Sequence, residues 1–303
     1  MVKNKDYSLF EPIVDKIKFL VKLVLLQLAK NELLWKIVGM YIVKAGQFIK
    51  QNHYLEIEKK EYRNGKINNK SKNIFSDLIV RHGIFKGMRY PDCKSIGSLL
   101  YPKLLGSYEN EIRPILEKLC YENYTEIVNI GCGTGYYAVG LAMRIPNANV
   151  YAYDIDKEAL KLCDKMACLN GVKQRLTTYT YCDADALKKI LFRGRALIVS
   201  DCEGYEKYLF TEDIIPFLVR HDLIIEVHDF IDIEISSIIY QRFDKTHDIL
   251  IIESIDDMQK VKKYAKEDFY EDIKLYDLKT RKALLSEERP SIMEWLYLRS
   301  KNR

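Results

Sequence analysis

The stretch EIVNIGCGTGYYAVGLAMR, Glu126 to Arg144, decides the fold. Its first five residues are an apolar run short enough for a strand. Gly131, Gly133 and Gly135 follow at alternate positions, and nine residues with helical spacing close the stretch. Glycines between a strand and a helix let the backbone turn tightly and approach a ligand closely. The spacing is G-x-G-x-G rather than G-x-G-x-x-G, which counts against a nicotinamide dinucleotide. Taken alone it is a weak signal.

Working outward, the same strand–helix alternation continues. Strands are expected over 126–130, 150–153, 176–182, 196–200 and 223–227, with helices over 136–144, 157–170, 184–191 and 205–219. Such alternation predicts an α/β fold with a parallel sheet covered on both faces. Ligands in that architecture bind beyond the carboxyl ends of the strands. The segment VYAYD ends in Asp154, and an acid there accepts hydrogen bonds from both hydroxyls of a ribose. The segment TYTYCDADAL delivers Asp183 with Asp185 close behind, suited to an exocyclic amine of adenine. Each acid, singly, reads equally as a helix cap or a solvated turn. Before the core, 104–119 reads as one helix capped by Ser107 with Glu109 and Glu111 in its first turn, and 81–91 as a short hairpin. After it, HDILIIESI reads as a further strand and 286–298 as a closing one.

In this order and at these spacings, the chain resembles the class I S-adenosylmethionine-dependent methyltransferases over about 105–300. NIGCGTG is similar to their first motif, YDID to the second-strand acid and CDADAL to the adenine-contact motif. The resemblance implies a Rossmann-like seven-stranded sheet and S-adenosyl-L-methionine as cofactor. It implies contacts from Asn129, Gly131, Gly133, Thr134, Gly135, Asp154, Ile155, Asp183, Ala184 and Asp201. One position departs: the family carries Asp or Glu where this chain has Asn129. An amide brings no charge toward the methionine ammonium, so Asp201 and Glu109 are the candidates to supply it. The segment ALIVSDCEGYEKYLF followed by LIIEVHD looks like the FkbM-type methyltransferases, whose D-x-E-G-x-E and E-x-H motifs match Asp201, Glu203, Gly204, Glu206, Glu226 and His228. That resemblance implies O-methylation of a sugar, glycan or related small natural product.

A hydroxyl must lose its proton during methyl transfer. His228 is the expected base, because imidazole titrates near neutrality. Asp201 and Glu226 complete the expected catalytic group, with Asp201 orienting His228, holding the acceptor or contacting the cofactor. In a metal-assisted alternative, Asp201, Glu203, Glu226, His228 and Asp229 offer oxygen and nitrogen ligands for magnesium or manganese. The other reading of Glu203 and Glu206 is capping or solvation of the following helix. His53, His82, His221 and His247 have no partner pattern and are expected in surface or packing roles. Tyr136 and Tyr137 are expected to border the cofactor; Arg81, Tyr90 and Tyr108 are candidates for an acceptor wall.

The N-terminal 75 residues differ from the rest. They carry 15 Lys and Arg against 7 Asp and Glu, whereas the remainder carries 33 against 36, within a formal net charge of +5 for all 303 residues. We expect a basic helical extension over 1–75 and the cofactor-binding domain over 76–303. Helical spacing over 11–51 predicts two helices, packed on the main domain or a second subunit, or lying as a basic amphipathic anchor on a membrane surface. The apolar run over 19–29 is too short to span a membrane, and no signal-peptide cleavage pattern follows it. Residues 59–73 read as a linker with Asn64-Gly65 as a tight turn. Seven scattered cysteines without a C-x-x-C pair argue against a disulfide or zinc framework and for a reducing, cytoplasmic setting. A nucleic-acid methyltransferase is disfavoured: the segment after the strand over 196–200 is SDCEG rather than N/D-P-P-Y, and the body is slightly acidic. A non-catalytic binding module of the same fold is the remaining alternative, because of Asn129.

Overall fold

The computed structural model describes residues 75–302 together with Lys22, Lys30 and Asn31. The chain divides into two compact units, residues 1–70 and 71–303. The helices expected over 11–51 and the linker over 59–73 lie outside the described residues apart from those three positions. So do the membrane contact and homodimer argued from them.

Seven strands form one sheet: β1 (Glu126–Ile130), β2 (Asn149–Tyr153), β3 (Leu176–Tyr179), β4 (Ala196–Ser200), β5 (Asp222–Val227), β6 (His247–Glu253) and β7 (Glu294–Ser300). Their order is β3-β2-β1-β4-β5-β7-β6. The first five are parallel, and β7 runs antiparallel between β5 and β6. Strands β1, β4 and β5 are buried at every residue, because helices cover both of their faces. This explains why they read as unbroken apolar runs. The five strands read from the alternation are the parallel ones, and the seven-stranded sheet is completed by β7, which closes back into the gap beside β5, and β6. The strand expected over 286–298 begins only at Glu294, and the residues before it form a loop that buries Ser286, Glu287 and Met293 while Glu288 and residues 290–292 are exposed.

The helices between strands are α3 (Tyr136–Arg144), α4 (Lys157–Leu169), α5 (Ala184–Lys188), α6 (Glu206–Leu209), α7 (Ile215–Leu218) and α8 (Ile235–Phe243). Asp156 caps α4 by accepting from the Glu158 and Ala159 amides at 2.7 and 3.3 Å. The single helix expected over 205–219 is two short ones, with Pro216 in the first turn of the second. The strand expected over 176–182 stops at Tyr179, since Asp183 starts a helix instead.

The helix expected over 104–119 is likewise divided into α1 (Leu100–Leu105) and α2 (Arg113–Leu119). Gly106, left-handed at φ 88°, ends α1, and Pro114 sits in the first turn of α2. Ser107 therefore caps nothing and turns its amide back to the Pro102 carbonyl at 2.8 Å. Glu109 and Glu111 lie in the break, free of helical register. The 81–91 segment bends back through one antiparallel bridge, Ile79 to Arg89. Between β6 and β7 come α9 (Asp257–Glu267), α10 (Tyr270–Ile273) and α11 (Leu278–Leu285). Among the described residues no helix is long and apolar enough to cross a membrane, and none of the seven cysteines is paired.

Candidate active site

The glycine bend follows β1 and leads into α3. At Gly131, φ is 73°, and a Cβ would stand 1.6 Å from the Asp201 carbonyl oxygen, so only glycine lets the bend pass the backbone after β4. Gly135, at φ 100°, opens α3, and there a Cβ would meet the Cys163 sulfur at 2.9 Å. These two close approaches seat the bend against the carboxyl ends of the sheet.

Asp154, past the end of β2, accepts from the Gly133 amide at 2.7 Å through Oδ2 and from the Asp156 amide at 2.8 Å through Oδ1. The second-strand acid and the bend are thus one unit. Beside it Ile155 is 82% exposed, an apolar side chain left open to a flat partner. Asp183 caps α5 through Oδ1, accepting from the Ala186 amide at 2.7 Å. Its capping role is real, and Oδ2 keeps its acceptor capacity; Ala184 is the first residue of that helix. Asp183 makes no hydrogen bond to the bend. Asn129 donates to the Val199 carbonyl at 3.2 Å. Its Oδ1 is buried without a partner, and so is the Thr134 hydroxyl. Two orphaned buried acceptors beside a glycine cradle are what a polar ligand would satisfy, so these residues fit an adenosyl amino acid.

The second half of the site is built on β4 and β5. Beyond Ser200 come Asp201 and Glu203, and beyond Val227 comes His228, only 2% exposed. Its Nδ1 lies 2.6 Å from Oε1 of the buried Glu206. Its Nε2 faces Asp201 at 3.5 Å and Glu203 at 3.6 Å. Burial pulls the His228 pKa down, but the Glu206 hydrogen bond and the surrounding carboxylates outweigh it, so the net direction is up. Glu203 holds φ at 53° and Glu109 at 47°, a left-handed region that costs a non-glycine residue about 1–3 kcal/mol. Two of the strained residues therefore belong to the site.

Glu226 lies beside Asp201, with a side-chain hydrogen bond between them, and its charge reaches His228. It is held by Arg289, which also binds Glu109 and Glu287 at 2.8 Å each. Glu287 in turn pairs with the fully buried Lys260, and Tyr137 donates to Glu109. Asp229 lies apart from His228's cluster: it accepts from the Ser236 amide at 2.8 Å and hydroxyl at 2.5 Å. Of the five residues considered as metal ligands, the structure brings together Asp201, Glu203 and His228, whose donor atoms lie within 4.8 Å of one another.

The site is dense in acid. Burial, with Glu109 and Glu203 nearby, pushes the Asp201 carboxyl up to about 8. Burial also raises Glu226, with Asp201 and Glu109 adding to it. Glu287 goes the other way, because Lys260 and Arg289 outweigh its burial.

Of the other histidines, His53 lies outside the described residues; His82 pairs with Asp272 at 2.7 Å, His221 accepts from the Ala196 amide at 3.1 Å, and His247 contacts the His221 carbonyl at 3.0 Å. Arg81 binds Asp77 at 2.8 Å on the outside, and Tyr90 is buried. Tyr136 and Tyr137, the first residues of α3, are both buried. Sequence reasoning missed Arg289, hidden in a segment read as strand, and Lys103, placed just ahead of a helix. A signal existed for the first: Glu287-Glu288-Arg289-Pro290 is too polar for a strand in the middle of a sheet.

The strand order with an antiparallel seventh strand, the glycine bend after β1 and the acid after β2 define a class I methyltransferase fold. A family described as "Methyltransferase domain" matches residues 127–197, and the chain carries a methyltransferase domain of the S-adenosylmethionine-dependent class. It is similar to the release factor glutamine methyltransferase of Flavobacterium psychrophilum, 45% identical over 47 residues, which is 16% of each chain. The corresponding protein of Chlorobaculum tepidum is 38% identical over 61 residues, 20% of each chain. The matches thus span between a sixth and a fifth of the length of these curated relatives. A solved S-adenosylmethionine-dependent methyltransferase from Geobacter sulfurreducens, in complex with S-adenosylhomocysteine, superposes with a TM-score of 0.39 at 11% identity, covering 64% of this chain and 91% of that one.

Proposed function

We propose that the protein is an S-adenosylmethionine-dependent O-methyltransferase of the FkbM-like type, acting on a hydroxyl of a sugar, glycan or related small natural product. The observation that carries this reading is the His228–Glu206 pair beside Asp201. The motif residues Asp201 and Glu203 on the turn after β4, and Glu206 at the start of α6, gather around one imidazole.

The cofactor supplies a methyl group already activated on a sulfonium. Asp154, fixed by the Gly133 amide, would accept from the ribose hydroxyls, and Asp183 from the adenine amine. The chain must then bring an acceptor hydroxyl to the methyl and remove its proton. His228 does the second. With Glu206 accepting at Nδ1, the proton of the neutral ring resides there, and Nε2 presents a lone pair. When Nε2 takes the hydroxyl proton, Glu206 stabilises the imidazolium. Asp201 and Glu203, on the Nε2 side, accept hydrogen bonds from neighbouring acceptor hydroxyls and hold the acceptor in line.

The test is calorimetry with S-adenosylhomocysteine, followed by transfer of labelled methyl to a panel of sugars and glycans. Binding plus a base-labile-free, ether-linked product supports the reading. Binding without transfer to any hydroxyl, but with transfer to an amide, overturns the hydroxyl assignment. No binding at millimolar ligand favours a non-catalytic module.

A second reading has its own observation, the convergence of Asp201, Glu203 and His228. These would hold a divalent ion, with Glu206 orienting the imidazole from behind, and the ion would lower the hydroxyl pKa. Activity that survives exhaustive chelation excludes it. Activity lost to chelation and restored by manganese or magnesium replaces the His228 base with a His228 ligand.

A further inference from the structure

Lys103, in α1, is only 3% exposed. Among the described residues its ammonium makes no hydrogen bond and has no carboxylate at ion-pair distance. It lies instead over two aromatic faces, 4.9 Å from the Tyr108 ring centre and 5.7 Å from that of Tyr136. A buried cation without a counter-ion is rare, because burial removes water and returns nothing in exchange. The strain shows in its basicity: burial lowers its pKa to about 8, even though Glu109, Asp201 and Glu287 at longer range pull it upward. Rings alone recover only part of that cost. The group is largely desolvated, held over two rings, and has carboxylates only at longer range rather than a direct anionic partner among the described residues.

Its position says which anion. Tyr136 is the residue after Gly135, so the ammonium stands at the start of the helix that the glycine bend opens. The segment leading into α1 also covers the bend: a Cβ on Gly133 would meet the Ile96 carbonyl oxygen at 3.5 Å. On the other side of the bend, Asp201 Oδ1 and Asn129 Oδ1 are acceptors without hydrogen-bond partners. The site is therefore polarised, cationic at Lys103 and electron-rich toward Asp201, across the loop expected to carry an adenosyl amino acid.

We propose that Lys103 receives the α-carboxylate of the cofactor's methionine end, while Asp201 and the Asn129 amide oxygen receive its α-ammonium. This rests on the S-adenosylmethionine reading above. It also answers the departure at position 129: the charge missing there is supplied from the strand-end aspartate, and the zwitterion is oriented by its two poles. An acidic group on the acceptor offers the same chemistry, so the test separates the two sources.

The full chain is titrated with S-adenosylhomocysteine and with 5′-methylthioadenosine, which lacks the amino-acid end. Lys103→Met, similar in length and apolar, is expected to weaken S-adenosylhomocysteine by about 10- to 100-fold, the worth of one charge-assisted hydrogen bond in a dry site. It should leave 5′-methylthioadenosine within about twofold, since uncharged contacts are untouched. Lys103→Arg is expected to recover most of the lost affinity. Lys103→Met should also melt no lower than wild type, since an unpaired buried charge has been removed, which shows that the variant folds. An equal loss for both ligands, or no loss for either, overturns the assignment; unchanged binding moves the anion to the acceptor. If wild-type protein binds neither ligand, it is the cofactor reading that fails.

Discussion

Glu206 and His228 are 22 residues apart in the chain and 2.6 Å apart in space, carboxylate oxygen to Nδ1; Glu206 opens the short helix after β4, and His228 directly follows the adjacent parallel β5. The pair fixes both the tautomer and the basicity of the imidazole. Because the His228 pKa is raised, the base is charged at low pH and becomes competent only as pH climbs past the ordinary histidine range. The rising limb of kcat against pH should therefore lie above about 6.5. Glu206→Gln removes the charge that holds the proton, so the limb should move to lower pH while the plateau falls. His228→Ala should lose about 10²- to 10⁴-fold in kcat, the usual worth of a general base, with S-adenosylhomocysteine affinity little changed. A pH profile unmoved by Glu206→Gln would remove His228 from the proton's path.

Asp154 ties the cofactor loop to β2 through the Gly133 amide. Asp154→Ala should lose S-adenosylhomocysteine binding by about 100-fold or more, since two charge-assisted bonds to a ribose disappear, each worth about 1.5–3 kcal/mol. Asp154→Asn should fall between. Calorimetry beside a melting curve checks this. Near-normal affinity with an intact melt would mean that the ribose lies elsewhere.

How much of this was legible follows from the range of the forces involved. Strands β1, β4 and β5 announced themselves because burial on both faces leaves uninterrupted apolar runs. The glycine bend and Asp154 were legible because backbone geometry is local. The nearness of Asp201 to His228 follows from the strand ends, since both follow adjacent strands of one sheet, but the residue bonded to the ring is Glu206, whose other reading was a helix cap. What could not be read was the traffic of charge between segments far apart in the chain. Arg289 reaches Glu109 across 180 residues, and no local pattern records that. Glu226, expected near the chemistry, lies beside Asp201, but its pairing with Arg289 had no local signal. The break between α1 and α2 was recorded in the sequence, in Gly106 and Pro114, but the apolar spacing over 104–119 masked it.

Arg289 is the only cation in contact with Glu109 and Glu226 among the described residues. Arg289→Met should destabilise the domain by about 3–5 kcal/mol, the cost of stranding buried carboxylates. The sign with pH is specific. Protonation relieves stranded acids, so the deficit in Tm should narrow as pH falls from 7 toward 5. Adding Glu226→Gln should restore part of the loss at neutral pH. A deficit independent of pH would point to lost packing by the arginine stem.

Asp201 carries a different signature. With its carboxyl raised to about 8 by burial and by Glu109 and Glu203, it is mostly protonated at pH 7 in the free protein. A cation brought alongside favours the ionised form, so binding should expel a proton. S-adenosylmethionine carries a sulfonium that S-adenosylhomocysteine lacks, whereas their amino-acid ends are identical. The difference in proton release between the two ligands thus isolates the sulfonium's effect from that of Lys103. Calorimetry in two buffers of unlike ionisation enthalpy should show greater release for S-adenosylmethionine at pH 7. The difference should fade by about pH 9, where the carboxyl is already ionised, and vanish in Asp201→Asn. Equal release by both ligands at pH 7 would mean that the α-ammonium they share already ionises Asp201 in full, and release by neither that no cation of the cofactor reaches it.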